Sequence, residues 1–271
     1  MTTDTPTPRR CVGWTPLVPL ALSVLALTGC TAGAPSDAGA STTADSLSGD
    51  LVVFAAASLG PVLQQVAEDF EGLHPGLDVV LDLGGSASLA QRIVAGAPVD
   101  VFASASADTM STVTDSGLTL ETPVVLASNS LEIAVPPGNP GGVSGLADFA
   151  DADRTIALCA VEVPCGALAA EAFEAAGVTP APDTLEQDVT AALTKVRLGE
   201  VDAALVYRTD VQAAGADVEG IPFPGGTDLQ TFYYAVELTD APQPAAALAF
   251  VDFLQSTKAQ DALSDAGFTV P

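Results

Sequence analysis

Basic side chains are scarce in this sequence. Of its 271 residues, 8 are Lys or Arg and 34 are Asp or Glu, so the formal net charge is −26. Proteins that bind nucleic acid need basic patches to neutralise phosphates, and charge-driven adhesion to an anionic membrane needs the same residues. The composition therefore argues against both functions. At first sight it also argues against an anionic ligand.

Long apolar runs are nearly missing as well. One run, residues 17–27 (LVPLALSVLAL), follows Arg9 and Arg10; it is too short to span a bilayer and is typical of a signal peptide. It ends in Leu-Thr-Gly before Cys30, which resembles a bacterial lipobox, where the signal is cut before a cysteine that then carries lipid. The sequence thus predicts a signal peptide over residues 1–29 and lipidation of Cys30, with an ordinary signal peptide and a chance cysteine as the alternative. No later stretch approaches 18 uninterrupted apolar residues, so no transmembrane helix is predicted after it.

The segment that follows the predicted lipid site is low in complexity. Residues 30–49 are rich in Ala, Gly, Ser and Thr without apolar periodicity, which predicts a flexible tether. The whole chain is 48% hydrophobic, so the remainder is not expected to be disordered. It is long enough for one large domain or two modest ones.

Metal-ligating side chains are also few. Cys11 lies in the predicted signal peptide, which leaves Cys159, Cys165 and His74, the single histidine, as soft ligands in the folded part. An even pair of cysteines in an exported protein favours a disulfide. Zinc is the alternative, although two cysteines and one histidine make a poor tetrahedral set.

Short apolar runs alternate with segments of helical periodicity, which predicts an α/β fold with a parallel sheet. The predicted strands are residues 51–57, 77–83, 99–103, 130–135, 154–158, 201–207 and 231–237. The predicted helices are one capped by Ser58, then residues 89–95, 166–176, 190–198 and 244–256. We expect two lobes, residues 50–127 plus 232–271 and residues 128–231, with a ligand in the cleft between them.

Four short turns each lie directly before a predicted helix. They are AAAS (55–58), GGSAS (84–88), VPCG (163–166) and QDVT (187–190). A helix N-terminus carries unpaired backbone N–H groups and a partial positive charge, so each such turn is a candidate anion site. Small side chains let the backbone approach a ligand closely.

Several of these segments together resemble the periplasmic molybdate-binding proteins of ABC transporters. The matching pieces are VVFAAASL (52–59), GGSASLAQRIVAGAPVDVFASAS (84–106), the VPCG turn, QDV (187–189), AALVY (203–207) and DALSDAGFTVP (261–271). The AAAS turn combined with the Gly-Ala-Pro-x-Asp-Val-Phe run is specific, whereas either alone is weak. The resemblance implies a two-lobed periplasmic-binding-protein fold of type II, and it covers nearly all of residues 50–271.

The resemblance also implies a set of neutral hydrogen-bond donors for a tetrahedral oxyanion. Carried over by position, this set is Ser58, Ser86, Cys165, Val189 and Tyr207. The serines and the tyrosine would donate hydroxyls, while Cys165 and Val189 would donate backbone N–H groups. Cys165 stands where the family usually has Ala, so a disulfide would tie this part of the site. A donor-only site needs no Lys or Arg, which reconciles an anionic ligand with the acidic composition.

The same resemblance implies the protein's setting. It implies an exported monomer, held to the outer face of the cell membrane by the lipid on Cys30, that delivers molybdate to a transporter permease. It implies no catalysis and no cofactor. Tungstate is nearly isosteric with molybdate, so the sequence does not separate the two ligands.

Other interpretations of these residues remain open. The same fold could bind sulfate, chromate, iron or a small organic anion. A serine hydrolase would use Ser58 or Ser86 with His74 as base, although no G-x-S-x-G elbow is present. A structural surface lipoprotein would not explain the four turns. Each serine could be a simple helix cap, Tyr207 a core tyrosine, and Cys165 a loop staple that contacts no ligand.

Overall fold

The structure, a computed structural model, describes residues 47–271. The predicted signal peptide, the lipidation of Cys30 and most of the predicted tether lie outside the described residues. The first strand begins at Ser48, within the last residues of the segment predicted as tether. Within residues 47–271, none of the helices combines the length and the apolar character needed to cross a membrane.

Within the described residues, nine strands form the sheet. They are β1 (Ser48–Ala56), β2 (Gly76–Gly84), β3 (Val101–Ser104), β4 (Val124–Val135), β5 (Ile156–Cys159), β6 (Thr184–Glu186), β7 (Ala203–Tyr207), β8 (Glu219–Ile221) and β9 (Gln230–Glu237). Their order is β2-β1-β3-β9-β4-β7-β5-β6, and β8 pairs with β4. Strand β1 runs parallel to β2 and β3, and β5 runs parallel to β6 and β7. The predicted α/β class with parallel strands is confirmed.

The apolar run of β1 is buried on both faces of the sheet. Successive side chains of a strand point to opposite faces, and Val53 and Phe54 accordingly belong to different apolar clusters. Val53 packs with Leu63 of the helix that follows β1, whereas Phe54 packs with Leu89 on the other face. A parallel strand covered by helices on both sides needs this continuous hydrophobicity.

Residues 47–271 contain eight α-helices. They are α1 (Gly60–Leu73), α2 (Ser86–Val94), α3 (Ala107–Thr114), α4 (Pro164–Ala176), α5 (Val189–Arg197), α6 (Arg208–Ala214), α7 (Pro244–Leu254) and α8 (Thr257–Asp265). Helices α3, α6 and α8 were not expected from the sequence. The C-terminal helix predicted over residues 244–256 ends at Leu254, because Ser256 caps a separate helix, α8, by accepting the N–H of Ala259.

The expectation that Ser58 caps α1 is wrong. Ser58 lies inside a short 3₁₀ turn, Ala57–Leu59, and α1 begins only at Gly60. The serine hydroxyl lies 2.9 Å from the hydroxyl of Tyr233 instead of bonding to a helix N–H. The Ser58 side chain is therefore turned away from the helix and toward β9.

Strands β4 and β9 join two hydrophobic cores. One core contains β1, α1 and α7, and the other contains β5, α4 and α5. The two strands pair antiparallel, with Val124 opposite Ala235 and Ser130 opposite Gln230. The sequence suggested that the chain crosses between lobes near residues 125–130 and 229–234, and these segments are the two paired strands. The exact lobe bounds stay a prediction.

Candidate functional site

The four strand-to-helix turns meet around one small cavity. Its lining residues are Ala56, Ala57, Ser58, Gly84, Gly85, Ser86, Ala105, Val163, Pro164, Cys165, Gln187, Asp188, Val189 and Tyr207. All five residues of the predicted donor set are among them. The structure thus brings together residues that lie almost 150 positions apart, from both hydrophobic cores.

The cavity has a volume of about 20 Å³. One water molecule needs roughly 10–15 Å³ on the same measure, whereas sites for drug-sized organic ligands run to about 300–1,000 Å³. Among the described residues that line it, Asp188 is the only charged one. The cavity therefore suits a compact ion held by neutral groups.

Three helices begin at the cavity and present backbone N–H groups. Ser86 is the first residue of α2, Cys165 the second of α4 and Val189 the first of α5. N–H groups in the first turn of a helix have no carbonyl partner within it, and the helix dipole adds a partial positive charge there. These positions are therefore arranged to bind an anion.

The sequence sets two of these helix starts locally. Pro164 opens α4 at a position where the missing N–H of proline costs nothing. Asp188 caps α5, because its carboxylate accepts the N–H of Ala191 at 2.8 Å. This bond occupies the Asp188 side chain within its own helix, and the N–H groups of the first positions stay free for a ligand.

The Ser86 hydroxyl accepts a hydrogen bond from the backbone. Its oxygen, in a side chain 2% exposed, accepts the backbone N–H of Ala105 at 3.1 Å. A hydroxyl that accepts one hydrogen bond keeps its own proton to donate. Ser86 is therefore held as a donor at the cavity. Ala105 was not found from the sequence, because its role depends on how the end of β3 meets α2.

The Tyr207 hydroxyl is buried without a partner. The residue is 1% exposed, and within residues 47–271 its oxygen has no hydrogen-bond partner. Burial raises the pKa of this phenol well above its usual value, and the nearby Tyr233 and Asp210 add to the shift. Tyr207 therefore stays protonated. An unpaired buried hydroxyl is costly to folding and is common at binding sites, where a ligand supplies the missing partner.

A disulfide ties the turn that carries Cys165. It joins Cys165 in the first turn of α4 to Cys159 at the end of β5. Gly166 is needed beside it, since a Cβ there would lie 1.9 Å from the carbonyl oxygen of Ala160. The VPCG turn is thus fixed by a covalent bond and by close backbone packing, which lowers the entropy cost of ordering it around a ligand.

The GGSAS and QDVT turns touch each other directly. A Cβ built at Gly85 would lie 2.2 Å from the carbonyl oxygen of Gln187. Gly85 has an ordinary φ of −63°, so glycine is needed here for space rather than for backbone conformation. The absence of a side chain at this position lets the two turns close over the cavity.

One buried carboxyl lies next to the site. Asp210, on α6, accepts the backbone N–H of Tyr207 at 3.1 Å. Burial raises its pKa to about 7, against a usual value of 3.8, although the bond from Tyr207 lowers it; the charge of Asp188 raises it further. Asp210 was not recognised from the sequence, because its burial depends on how α6 packs.

Asp210 should make stability depend on pH. Its pKa is raised on folding, so the folded state holds the proton between about pH 4 and pH 7 and loses stability as pH rises through that window. A shift of this size corresponds to on the order of 4 kcal/mol. The Asp210→Asn variant keeps an oxygen for the Tyr207 N–H but cannot ionise. The unmodified protein loses stability over this pH range and the variant does not. The difference in unfolding free energy, variant minus unmodified protein, measured by urea denaturation, should therefore increase by a few kcal/mol from pH 4 to pH 8. A difference that is flat with pH would contradict a buried, titrating Asp210.

The histidine required by a serine hydrolase is elsewhere. His74 follows the C-terminal end of α1 and packs against Phe70, with ring centroids 4.5 Å apart. Within the described part of the chain, the hydroxyls of Ser58 and Ser86 contact Tyr233 and Ala105, not a histidine. The arrangement of nucleophile and base that such an enzyme needs is not formed by these residues.

Comparison with known proteins agrees with this geometry. Residues 51–269 match the family of bacterial extracellular solute-binding proteins. The chain is similar to the molybdate-binding protein ModA of Mycobacterium tuberculosis H37Rv, with 32% identity over 262 residues, which cover 97% of this chain and 100% of the relative.

Two solved structures have a similar fold. The periplasmic molybdate-binding protein of Azotobacter vinelandii superposes with a TM-score of 0.69 at 22% identity, over 82% of this chain and 99% of the other. The sulfate-binding protein SubI of Mycobacterium tuberculosis H37Rv superposes with a TM-score of 0.70 at 16% identity, over 81% and 86% of the two chains. The expected periplasmic-binding-protein fold is confirmed. Because a molybdate binder and a sulfate binder superpose equally well, the fold alone does not identify the ligand.

Proposed function

Because this chain belongs to the bacterial extracellular solute-binding proteins, and among them to the periplasmic molybdate-binding proteins, we propose that it captures molybdate in the cavity between its four turns. The buried hydroxyl of Tyr207, which has no hydrogen-bond partner within residues 47–271, carries this proposal. A buried hydroxyl of this kind needs an acceptor, and a fully deprotonated oxyanion supplies acceptors only. Tungstate has the same charge and shape, and we propose that it binds too.

Each member of the predicted donor set has a defined part in this site. Ser58, Ser86 and Tyr207 donate their hydroxyls to the oxyanion, while Cys165 and Val189 donate backbone N–H groups from the first turns of α4 and α5. Hydrogen bonds to a charged group are each worth about 1.5–3 kcal/mol, so five of them hold a dianion without any Lys or Arg.

Sulfate is the second candidate ligand. It is also a tetrahedral dianion, and a sulfate-binding protein shares this fold. The donor set discriminates against protonated phosphate, because a ligand O–H would find no acceptor among these donors. Sulfate and molybdate differ in size. The ligand is therefore selected by how closely the turns on opposite sides of the cavity approach each other.

The transport role follows from the same family. We propose that the ligand is delivered to the permease of an ABC transporter, and that closure of the lobes at residues 50–127 plus 232–271 and at residues 128–231 signals the loaded state. Lipid on Cys30 would hold the exported protein, as a monomer, at the outer face of the membrane. No reaction is catalysed in this account.

Equilibrium dialysis against a mixture of ions tests the ligand. The protein is dialysed against molybdate, sulfate and phosphate at equal concentrations, and bound molybdenum, sulfur and phosphorus are measured by elemental analysis, with ligand-free dialysis as the blank for protein sulfur. We expect close to one molybdenum atom per chain and no phosphorus above the blank. Retention of sulfur in place of molybdenum would assign the site to sulfate, and retention of none of the three would refute an oxyanion-binding function.

A further inference from the structure

A buried chain of hydrogen bonds runs from β4 through β9 to the cavity. We propose that Tyr233, oriented by Asn129, fixes the direction of the Ser58 hydroxyl so that it only donates to the ligand, and that this pair thereby excludes oxyanions that carry a proton. The inference rests on the proposed oxyanion site. It assigns to Tyr233 and Asn129 a role as positioning residues that act through Ser58.

Asn129 sets which groups donate and which accept in this series of hydrogen bonds. The side-chain oxygen Oδ1 of Asn129 accepts the backbone N–H of Ser130 at 3.0 Å. A backbone N–H can only donate, so this contact identifies the oxygen and places the Nδ2 amide on the other side. The Nδ2 group, which also can only donate, then reaches Thr209 at 2.8 Å and the hydroxyl of Tyr233 at 3.4 Å.

Tyr233 transmits this donor direction to Ser58 at the cavity. Its oxygen accepts from Asn129, so its own proton is available to the remaining neighbour, the Ser58 hydroxyl at 2.9 Å. Ser58 then accepts from Tyr233, and its proton is directed to the cavity that it lines. Each hydroxyl in this series accepts a hydrogen bond from one neighbour and directs its own proton to the next.

This series of hydrogen bonds is protected from water, which could otherwise reverse the donor direction within it. Tyr233 is 0% exposed, and Asn129 and Ser58 are each 5% exposed. Burial raises the pKa of Tyr233, so its hydroxyl keeps the proton that the chain requires. The other serine of the donor set, Ser86, accepts a hydrogen bond from a backbone N–H instead. Ser58 is thus the serine donor whose direction depends on side chains that can be replaced.

The chemical consequence is a choice between ligands. Molybdate at neutral pH has only acceptor oxygens, whereas phosphate near pH 7 keeps a proton that requires an acceptor. With the Tyr233 hydroxyl in place, the Ser58 proton points into the cavity, so the proton of hydrogenphosphate faces another donor proton at this position. Removal of the Tyr233 hydroxyl lets the Ser58 hydroxyl rotate and turn a lone pair toward the cavity, where it can accept a ligand proton.

The test measures molybdate and phosphate affinities for Tyr233→Phe in the full protein, with Tyr234→Phe as the matched control. We expect Tyr233→Phe to weaken molybdate binding about 10-fold and to lower the ratio of molybdate to phosphate affinity by more than that. Tyr234→Phe, on the opposite face of β9, should change neither value. Asn129→Asp should lower the ratio further, because a carboxylate would accept the Tyr233 proton and reverse the chain.

A double variant separates positioning from a general structural effect. In a Ser58→Ala background, Tyr233→Phe should change molybdate affinity less than 2-fold, because its effect passes through the missing hydroxyl. Equal losses with and without the Ser58 hydroxyl, or an unchanged ratio of affinities in both Tyr233→Phe and Asn129→Asp, would overturn the inference. Failure of the unmodified protein to bind molybdate would instead refute the proposed function on which it rests.

Discussion

Replacing Tyr207 with Phe should weaken molybdate binding by about 10- to 100-fold and leave the unliganded protein at least as stable as before. The two effects have opposite signs because the hydroxyl finds no hydrogen-bond partner among the residues that the structure describes. In the complex it gives a charge-assisted hydrogen bond worth about 1.5–3 kcal/mol. In the free protein it is a buried polar group whose removal relieves a desolvation cost of about 1–3 kcal/mol.

The measurement pairs binding calorimetry with thermal unfolding of the unliganded variant. Tyr234→Phe is the control, because Tyr234 is a half-buried tyrosine of β9 that lies outside the cavity. A core tyrosine with a structural role would show the reverse pattern, with lower stability and unchanged affinity. That pattern would remove Tyr207 from the donor set.

Gly85→Ala should weaken molybdate binding by about 5- to 150-fold while changing the stability of the free protein little. The added Cβ would lie 2.2 Å from the carbonyl oxygen of Gln187, which is backbone and cannot rotate away. Overpacking of this kind costs about 1–3 kcal/mol. We expect the free protein to avoid the cost by parting the two turns, so the penalty falls on the closed, liganded state.

Gly84→Ala provides the matched control at the neighbouring position. A Cβ there would meet Leu89 at 3.8 Å, which is an ordinary contact. This variant should bind molybdate nearly as well as the unmodified protein. If Gly85→Ala instead lowers the unfolding temperature and keeps its affinity, the contact between the turns is a rigid part of the fold and not a closure specific to the ligand.

The sequence predicted the fold where hydrophobic patterning is strong. The apolar run at residues 51–57 correctly indicated the buried parallel strand β1, and the segment 201–207 correctly indicated the buried strand β7. Helix α3 was missed because its Thr-rich sequence has weak helical propensity and depends on Ser106, which caps it by accepting the N–H of Thr109. Helix α6 begins directly where β7 ends, and the sequence contains no turn signal there.

The candidate site was predictable only in part. The four turns were recognised because strand, small residues and helix follow each other locally, and the family resemblance selected donors among them. The Tyr233 hydroxyl, the Asn129 amide and the Ala105 N–H were not recognised, because they reach the site through pairings with residues far away in the chain, such as the antiparallel register of β4 and β9. Long-range register of this kind leaves no signal in a single sequence.

We propose that neutral donors alone hold a dianion in this strongly acidic protein. The most direct test is calorimetric titration with molybdate at ionic strengths from about 0.01 M to about 1 M, over which the screening length falls from about 30 Å to about 3 Å. We predict one-to-one binding throughout, with an affinity that stays constant or rises with salt, because screening weakens the repulsion from a net charge of −26. Absence of binding, or an affinity that falls steeply with salt as for an anion held by Lys or Arg, would contradict the account.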